Sequence, residues 1–250
     1  MKILLTNDDG VSAAGLLAMK NALLDLGDLQ VVAPAGEQSG MSLALTYLGP
    51  IQAGPANLSD GYEAHQVHGT PVDCVKFALL ELFEEAPDLV VSGLNVGLNT
   101  GVNVMYSGTV AAALEASMGG VASVAFSTVP GDEGQIEWAA GQSRRVLDML
   151  LDSHDGMAKT YNVNIPESTD SPPACVYTKQ ARKPFKERYR PAGRTGAYRL
   201  ETATNPVQGV DDDTDVGALL MGRISVTPLT ADLTDNECLR RSKGSESVLA

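Results

Sequence analysis

Short apolar runs alternate with longer amphipathic stretches through the first part of the chain, and polar or glycine-rich residues follow most of the runs. "KILLT" (2–6) has the form of a strand buried on both faces. Ser12 is placed to cap a helix starting near Ala13, in which Leu16, Met19, Leu23 and Leu26 form one apolar stripe. "LQVVA" (29–33) and "AHQVHG" (64–69) read as strands. "TPVDCVKFALLELF" (70–83) reads as a helix opened by Pro71. "DLVVSG" (88–93) is strand, "GTVAAALEAS" (108–117) helix, "VASVAFS" (121–127) strand and "QIEWAAGQSRRVLDMLLDS" (135–153) a long amphipathic helix. This alternation predicts βαβ units: an α/β fold with a parallel sheet and helices on both faces.

The pattern then changes. "YNVNI" (161–165) reads as one more strand. Residues 175–180 and 198–204 read as two antiparallel strands joined by a long basic connection, an arm projecting from the main sheet. "DVGALLMG" reads as a short helix, "RISVTPL" as a strand, and the chain from Asp232 onward as a polar tail. The expected organisation is a single domain over 1–250, with a core at 1–166, a hairpin arm at 175–204 and a C-terminal strand and tail at 223–250.

Composition narrows the class. The chain has 250 residues, 44% hydrophobic and 20% charged, as an ordinary globular protein does. Cys74, Cys175 and Cys238 are odd in number and widely spaced, with no zinc spacing, so a reducing cytoplasmic setting is expected. Cys74 sits in an apolar stretch that suits packing. No secretory h-region and no continuous apolar run of membrane-spanning length is visible. A formal net charge of −13 disfavours a stable nucleic-acid polymer partner. It also means that an anionic substrate needs a device to cancel charge.

The candidate chemistry lies where the strands end. In an open α/β sheet, ligands bind outside the carboxyl ends of the strands. After the first strand comes "NDDG", with adjacent Asp8 and Asp9; after the second, "PAGEQSGMS", with Ser39 and Gly40. "HGTP" and "SGLNVGLNTGVNVMYSGT" follow two more. Two neighbouring carboxylates repel each other unless solvated or bridged by a divalent cation, which prefers hard oxygen ligands. Asn95 and Asn99 offer neutral amide oxygens. "SGT" (107–109) opens a helix whose free N–H groups suit either ordinary capping or a phosphate.

Together, "TNDDG", "QSG" followed by Ser42 and Thr46, "GTPVDCV", "SGLNVGLNTGVNVMYSGTVAAALEA", "NVNIP" and "SVTPLTADLT" resemble the SurE family. The resemblance covers most of the chain. It implies a Rossmann-like, mostly parallel α/β fold and a divalent-metal-dependent 5′-nucleotidase acting on nucleoside monophosphates, with 3′-nucleotides and short polyphosphate as further substrates. It implies one Mg²⁺ or Mn²⁺ per subunit, with Asp8, Asp9, Ser39 and Asn95 as ligands and Asp8, Asp9 and Asn95 as the catalytic set. Phosphate contacts are expected from Asn7, Gly40, Ser107, Gly108 and Thr109. A homodimer or homotetramer with an exchanged C-terminal segment is implied as well.

Some alternatives stay open. Asp8 is either a metal ligand, with water attacking in line, or a base or covalent nucleophile. His68 is a candidate proton donor, whereas His65 and His154 have no partner motif. The basic residues Lys179, Arg182, Lys183, Lys186, Arg188, Arg190, Arg194 and Arg199 form either a solvated or subunit-contacting arm or an anion-binding one. "DDDTD" (211–215) suits the start of the following helix better than a second metal site. The rival functions are a Mg²⁺-dependent receiver-like phosphoacceptor and a non-catalytic nucleotide-binding module. A haloacid-dehalogenase-type phosphatase is excluded because Asn7 stands where its nucleophilic aspartate belongs.

Overall fold

A computed structural model describes residues 1–153, 160–182, 187–193, 195–202 and 210–243. In chain order the strands are β1 (Lys2–Thr6), β2 (Asp28–Pro34), β3 (Ala53–Asn57), β4 (Glu63–Val67), β5 (Leu89–Val96), β6 (Ala122–Thr128), β7 (Thr160–Ile165), β8 (Cys175–Tyr177), β9 (Glu187–Pro191), β10 (Tyr198–Thr202) and β11 (Ile224–Leu229). The helices are α1 (Ala14–Leu23), α2 (Pro71–Phe77), α3 (Gly108–Met118), α4 (Glu133–Leu151), α5 (Asp215–Leu220) and α6 (Asn236–Lys243). Nine strands form one sheet in the order β3-β4-β2-β1-β5-β6-β7-β11-β8, and β9 and β10 form a separate hairpin.

The sheet is an α/β sheet because its central strands bury both faces. Ile3 and Leu5 of β1 pack with Leu16, Met19 and Leu23 of α1 and Leu147 of α4. Leu4, between them, points to the other side, with Val75 of α2 and Ala112 and Ala116 of α3. Leu89, Val90 and Val91 of β5 divide in the same way. Successive side chains alternate faces, so an unbroken apolar run needs a helical layer on each. Cys74 is fully buried in the second layer, and burial pushes its thiol well up, in keeping with a packing role. Among the described residues no helix is long and apolar enough to cross a membrane.

Strand order positions the site. β1 pairs in parallel with β2 on one side and β5 on the other, so successive connections leave it in opposite directions. The crevice at such a switch point is where open α/β sheets bind ligands.

The structure departs from the expected pattern at four places. Residues 175–180 and 198–204 do not pair with each other. β8 joins the main sheet parallel to β11, and β10 pairs antiparallel with β9. The basic connection therefore supplies one strand of its own hairpin. Ser12 does not cap α1: the turn closed by Ala13 N–H donating to Gly10 C=O (3.1 Å) puts the helix start one residue later, and Ala13 holds the capping position with no side-chain bond. "AGPAN" (53–57) forms an additional edge strand, β3, antiparallel to β4, where Pro55 needs no second partner. The polar tail contains a helix, α6. His154, Lys183, Lys186, Arg194, residues 203–204 of the arm and residues 244–250 of the tail lie outside the described residues.

The acidic run 211–215 has a structural use. Thr214 caps α5, and the fully buried Asp215 accepts N–H groups from Gly101 (2.7 Å), Ala181 (3.0 Å) and Val216 (2.8 Å). Lys179 pairs with Asp213 at 2.9 Å. The run ties the segment after β8 to the glycine-rich loop that follows β5.

Candidate active site

The loops after β1, β2 and β5 meet at the switch point. A cavity of about 780 Å³ is lined there by Asp8, Asp9, Ser39, Gly40, Asn95 and Ser107. Asn7, Gly108 and Thr109 lie behind this surface. Asn7 clamps the first turn, accepting the Gly10 N–H and donating to its carbonyl (3.2 and 3.0 Å). Gln38 N–H donates to the Asp8 carbonyl at 2.7 Å, which fixes the Ser39 loop against the aspartate turn.

Asp8 is almost fully buried. Its Oδ1 accepts the Thr109 hydroxyl at 2.6 Å. Gly108 opens α3 close beside it: a Cβ there would stand 2.9 Å from the Asp8 Cβ and 3.0 Å from Oδ2. The missing side chain thus lets a helix N-terminus approach a carboxylate. Ser107 caps the helix, its Oγ accepting the Val110 N–H at 3.1 Å.

The β5 end presents Asn95. The pairing of β5 with β6 slips between Ser92 and Asn95, an irregularity that re-aims the strand end. Gly93 sits there at φ +138°, and a Cβ would lie 2.5 Å from the Phe126 carbonyl, so no other residue fits. Asn95 Nδ2 donates to Gly97 C=O (2.6 Å), which leaves its Oδ1 as the acceptor end.

Asn99 also lines the cavity, and its backbone and Nδ2 hold the loop. Its N–H donates to Asn164 Oδ1 (2.8 Å), its carbonyl accepts from Asn162 and Asn164, and its Nδ2 donates to Ser127 Oγ (2.9 Å). The loop at 39–48 is also pinned. Ser42 Oγ donates to the Met105 carbonyl, and Asp73 accepts from both the N–H and hydroxyl of Thr46. Burial alone would raise the Asp73 pKa, but its bonds from Thr70 and Thr46 hold it below the usual carboxylate range.

The electrostatics favour a cation. Burial raises the Asp8 pKa, partly offset by the bonds from Thr109. Asp9 is pushed up to about 6, first by burial and then by the charge of Asp8. Among the described residues no ion pair reaches either carboxylate. Nor is there a cluster of three or more His, Cys, Asp or Glu suited to a metal. Two carboxylates with neutral oxygens are still a donor set for a hard cation that keeps some of its waters. Ser39 fits this use: its hydroxyl hydrogen goes to Glu37 Oε1 at 2.9 Å, which leaves oxygen lone pairs for a ligand.

Glu37, Asn103, Tyr106, Tyr189 and Leu200 also line the cavity and are not singled out individually by the sequence as site residues; Arg188, one of the basic residues of the arm, lines it as well. Glu37 lies inside "EQSG" and Tyr106 directly before "SGT", so adjacency to the motifs was their available signal. His68 is exposed and does not line the cavity.

A family model described as Survival protein SurE matches residues 3–187. The chain is 40% identical over 249 residues to the 5′-nucleotidase SurE of Rhodopirellula baltica, covering 97% of this chain and 98% of that protein. It is 40% identical over 245 residues to the protein of the same name from Desulforudis audaxviator, covering 96% and 95%. The crystal structure of the SurE protein from Aquifex aeolicus matches with a TM-score of 0.79 at 33% identity, over 98% of this chain and 99% of that one. The paired aspartates at the switch point are thus set in a full-length match of both sequence and fold, and the chain belongs to the SurE family.

Proposed function

We propose that this chain is a divalent-cation-dependent phosphomonoesterase that converts nucleoside 5′-monophosphates to nucleoside and phosphate. The observation that carries this reading is the pair Asp8–Asp9: two adjacent, substantially buried carboxylates that, among the described residues, have no cationic side chain against them, beside the N-terminus of α3. Two such charges are costly unless a cation joins them. The curated relatives named 5′-nucleotidase SurE support the substrate class.

In this reading Asp8, Asp9, Ser39 and Asn95 hold one Mg²⁺ or Mn²⁺ per subunit. When bound, the cation supplies charge stabilisation for the phosphoryl group and makes a water more acidic. Ser107 and the first N–H groups of α3 receive the remaining phosphate oxygens, with Gly40 opposite. Asn7 and Thr109 act from behind, the one holding the turn and the other holding Asp8. A receiver-type switch needs a further carboxylate as phosphoacceptor, and the β5 end presents Asn95, which favours hydrolysis. The wider reading takes in 3′-nucleotides and short polyphosphate as substrates, a single domain, a cytoplasmic homodimer or homotetramer with an exchanged C-terminal segment, and no stable nucleic-acid polymer partner.

The test is phosphate release from a panel of mononucleotides, with Mg²⁺ or Mn²⁺ and with chelator. Release is expected only with the cation, and Asp9→Asn is expected to lower it by roughly 100-fold or more. Full cation-dependent activity in Asp9→Asn rejects the assignment.

A further inference from the structure

Two chemically different groups of residues line the cavity. One is the aspartates, Ser39 and Asn95; the other is Tyr106 with Arg188, Tyr189 and Leu200 of the hairpin. The first suits a cation and a phosphate. The second offers mainly aromatic and apolar surface, and its formal charge, on Arg188, is paired with Glu201.

Strand register shows what the hairpin presents. Tyr189 lies opposite Leu200 and Pro191 opposite Tyr198, so these four share one face. Arg188 lies opposite Glu201 and Arg190 opposite Arg199, on the other face. There Glu201 accepts from Arg190 at 2.6 Å and pairs with Arg188 at 3.4 Å. The hairpin therefore spends much of its charge on itself, and brings Tyr189 and Leu200, with the paired Arg188 beside them, to the cavity. A two-stranded ribbon has no core of its own to bury such a face. Tyr189 is 69% exposed, Leu200 47% and Tyr106 63%.

We infer that Tyr189 and Leu200 of the hairpin, with Tyr106 of the same cavity, form the seat of the substrate's nucleobase. This rests on the phosphatase reading above and adds to it the group that this aromatic wall selects. Tyr106 immediately precedes Ser107, so the aromatic wall adjoins the proposed phosphate end in both chain and space. A planar base has a π-face that stacks on such side chains whatever its identity, so the seat selects nucleotides over sugar phosphates without ranking the bases.

The experiment uses the full chain with its cation. Adenosine binding is measured by calorimetry, and kcat and KM are measured for AMP and for ribose 5-phosphate, in the parent protein, Tyr189→Ala, Tyr189→Phe and Leu200→Ala. Tyr189→Ala is expected to weaken adenosine roughly tenfold and to raise KM for AMP similarly with little change in kcat. Tyr189→Phe restores both, and the constants for ribose 5-phosphate move less than about twofold in each variant. Leu200→Ala gives a smaller loss of the same kind and serves if Tyr189→Ala does not fold.

Equal effects on AMP and ribose 5-phosphate overturn the inference, as does unchanged adenosine affinity. A change of sedimenting mass with unchanged adenosine affinity also overturns it, because the face is then a contact between copies. If the parent protein hydrolyses no phosphomonoester, the phosphatase reading fails, while adenosine calorimetry still decides the base seat.

Discussion

Thr109 donates its hydroxyl hydrogen to Oδ1 of Asp8 across 2.6 Å, joining two buried side chains 101 positions apart in the chain. The bond crosses from the second residue of α3 to the turn after β1. It orients one carboxylate oxygen inward and sets where the other can point. Thr109→Val keeps the shape and removes the donor. We expect a loss of about 1–3 kcal/mol in stability, since a buried carboxylate loses a partner, together with weakened cation binding. Thr109→Ser is expected to recover most of both. Chemical denaturation and calorimetric titration with Mg²⁺ check this; a Thr109→Val protein with parental cation affinity contradicts it.

The raised carboxylates predict an inverted pH response in the cation-free protein. Asp9 titrates near 6 in the folded chain against about 3.8 when unfolded. Between those values the folded state binds more protons than the unfolded state, so stability falls as pH rises through this window. Asp8, also raised, contributes with the same sign. A divalent cation binds the deprotonated pair, so its affinity and its stabilising effect rise over the same interval. Melting temperatures from pH 4.5 to 8, with chelator and with Mg²⁺, are expected to separate as pH rises through about 6 and to stay apart above it. Asp9→Asn flattens the chelator curve in that interval; an unchanged slope in the variant assigns the effect elsewhere.

Gly108→Ala tests the close approach of α3 to Asp8. In an ordinary helical site this change stabilises by about 1 kcal/mol. Here the new Cβ would meet the Asp8 Cβ at 2.9 Å and the Pro71 Cγ at 3.1 Å, and none of these atoms lies at the end of a long flexible chain. The sign is expected to reverse: lower melting temperature, weaker cation binding and a large fall in turnover. A stabilised, active variant shows that the helix end does not press on the aspartate.

Much of the fold and of the candidate site was legible in the sequence because the signals are local. An unbroken apolar run such as "KILLT" announces a strand covered on both faces, and its neighbours Leu4 and Leu5 do face opposite layers. Pro71 after Thr70 announces a helix start, and Thr70 and Asp73 complete a reciprocal cap there. Asp8, Ser39 and Asn95 share a cavity because each lies at or beyond the carboxyl end of one of three parallel strands, and parallel strands place those ends on one edge.

What the residues could not disclose was partnership between distant segments and the phase of each side chain. β3 has almost no strand propensity in "AGPAN"; it is a strand because β4 offers it an edge. Cys175–Tyr177 carries no mark that chooses β11 over β10 as its partner. Thr109, read beside Ser107 as part of a phosphate turn, is rotated by the helix to face Asp8. Tyr189 and Leu200 are unremarkable in a basic stretch until antiparallel register puts them on one face above the cavity. The sequence by itself determined the class of fold and which polar loops gather at one sheet edge, because run length and periodicity act over a few residues. Only the tertiary structure decided which atoms meet there, because contact across a hundred residues depends on how the whole sheet closes.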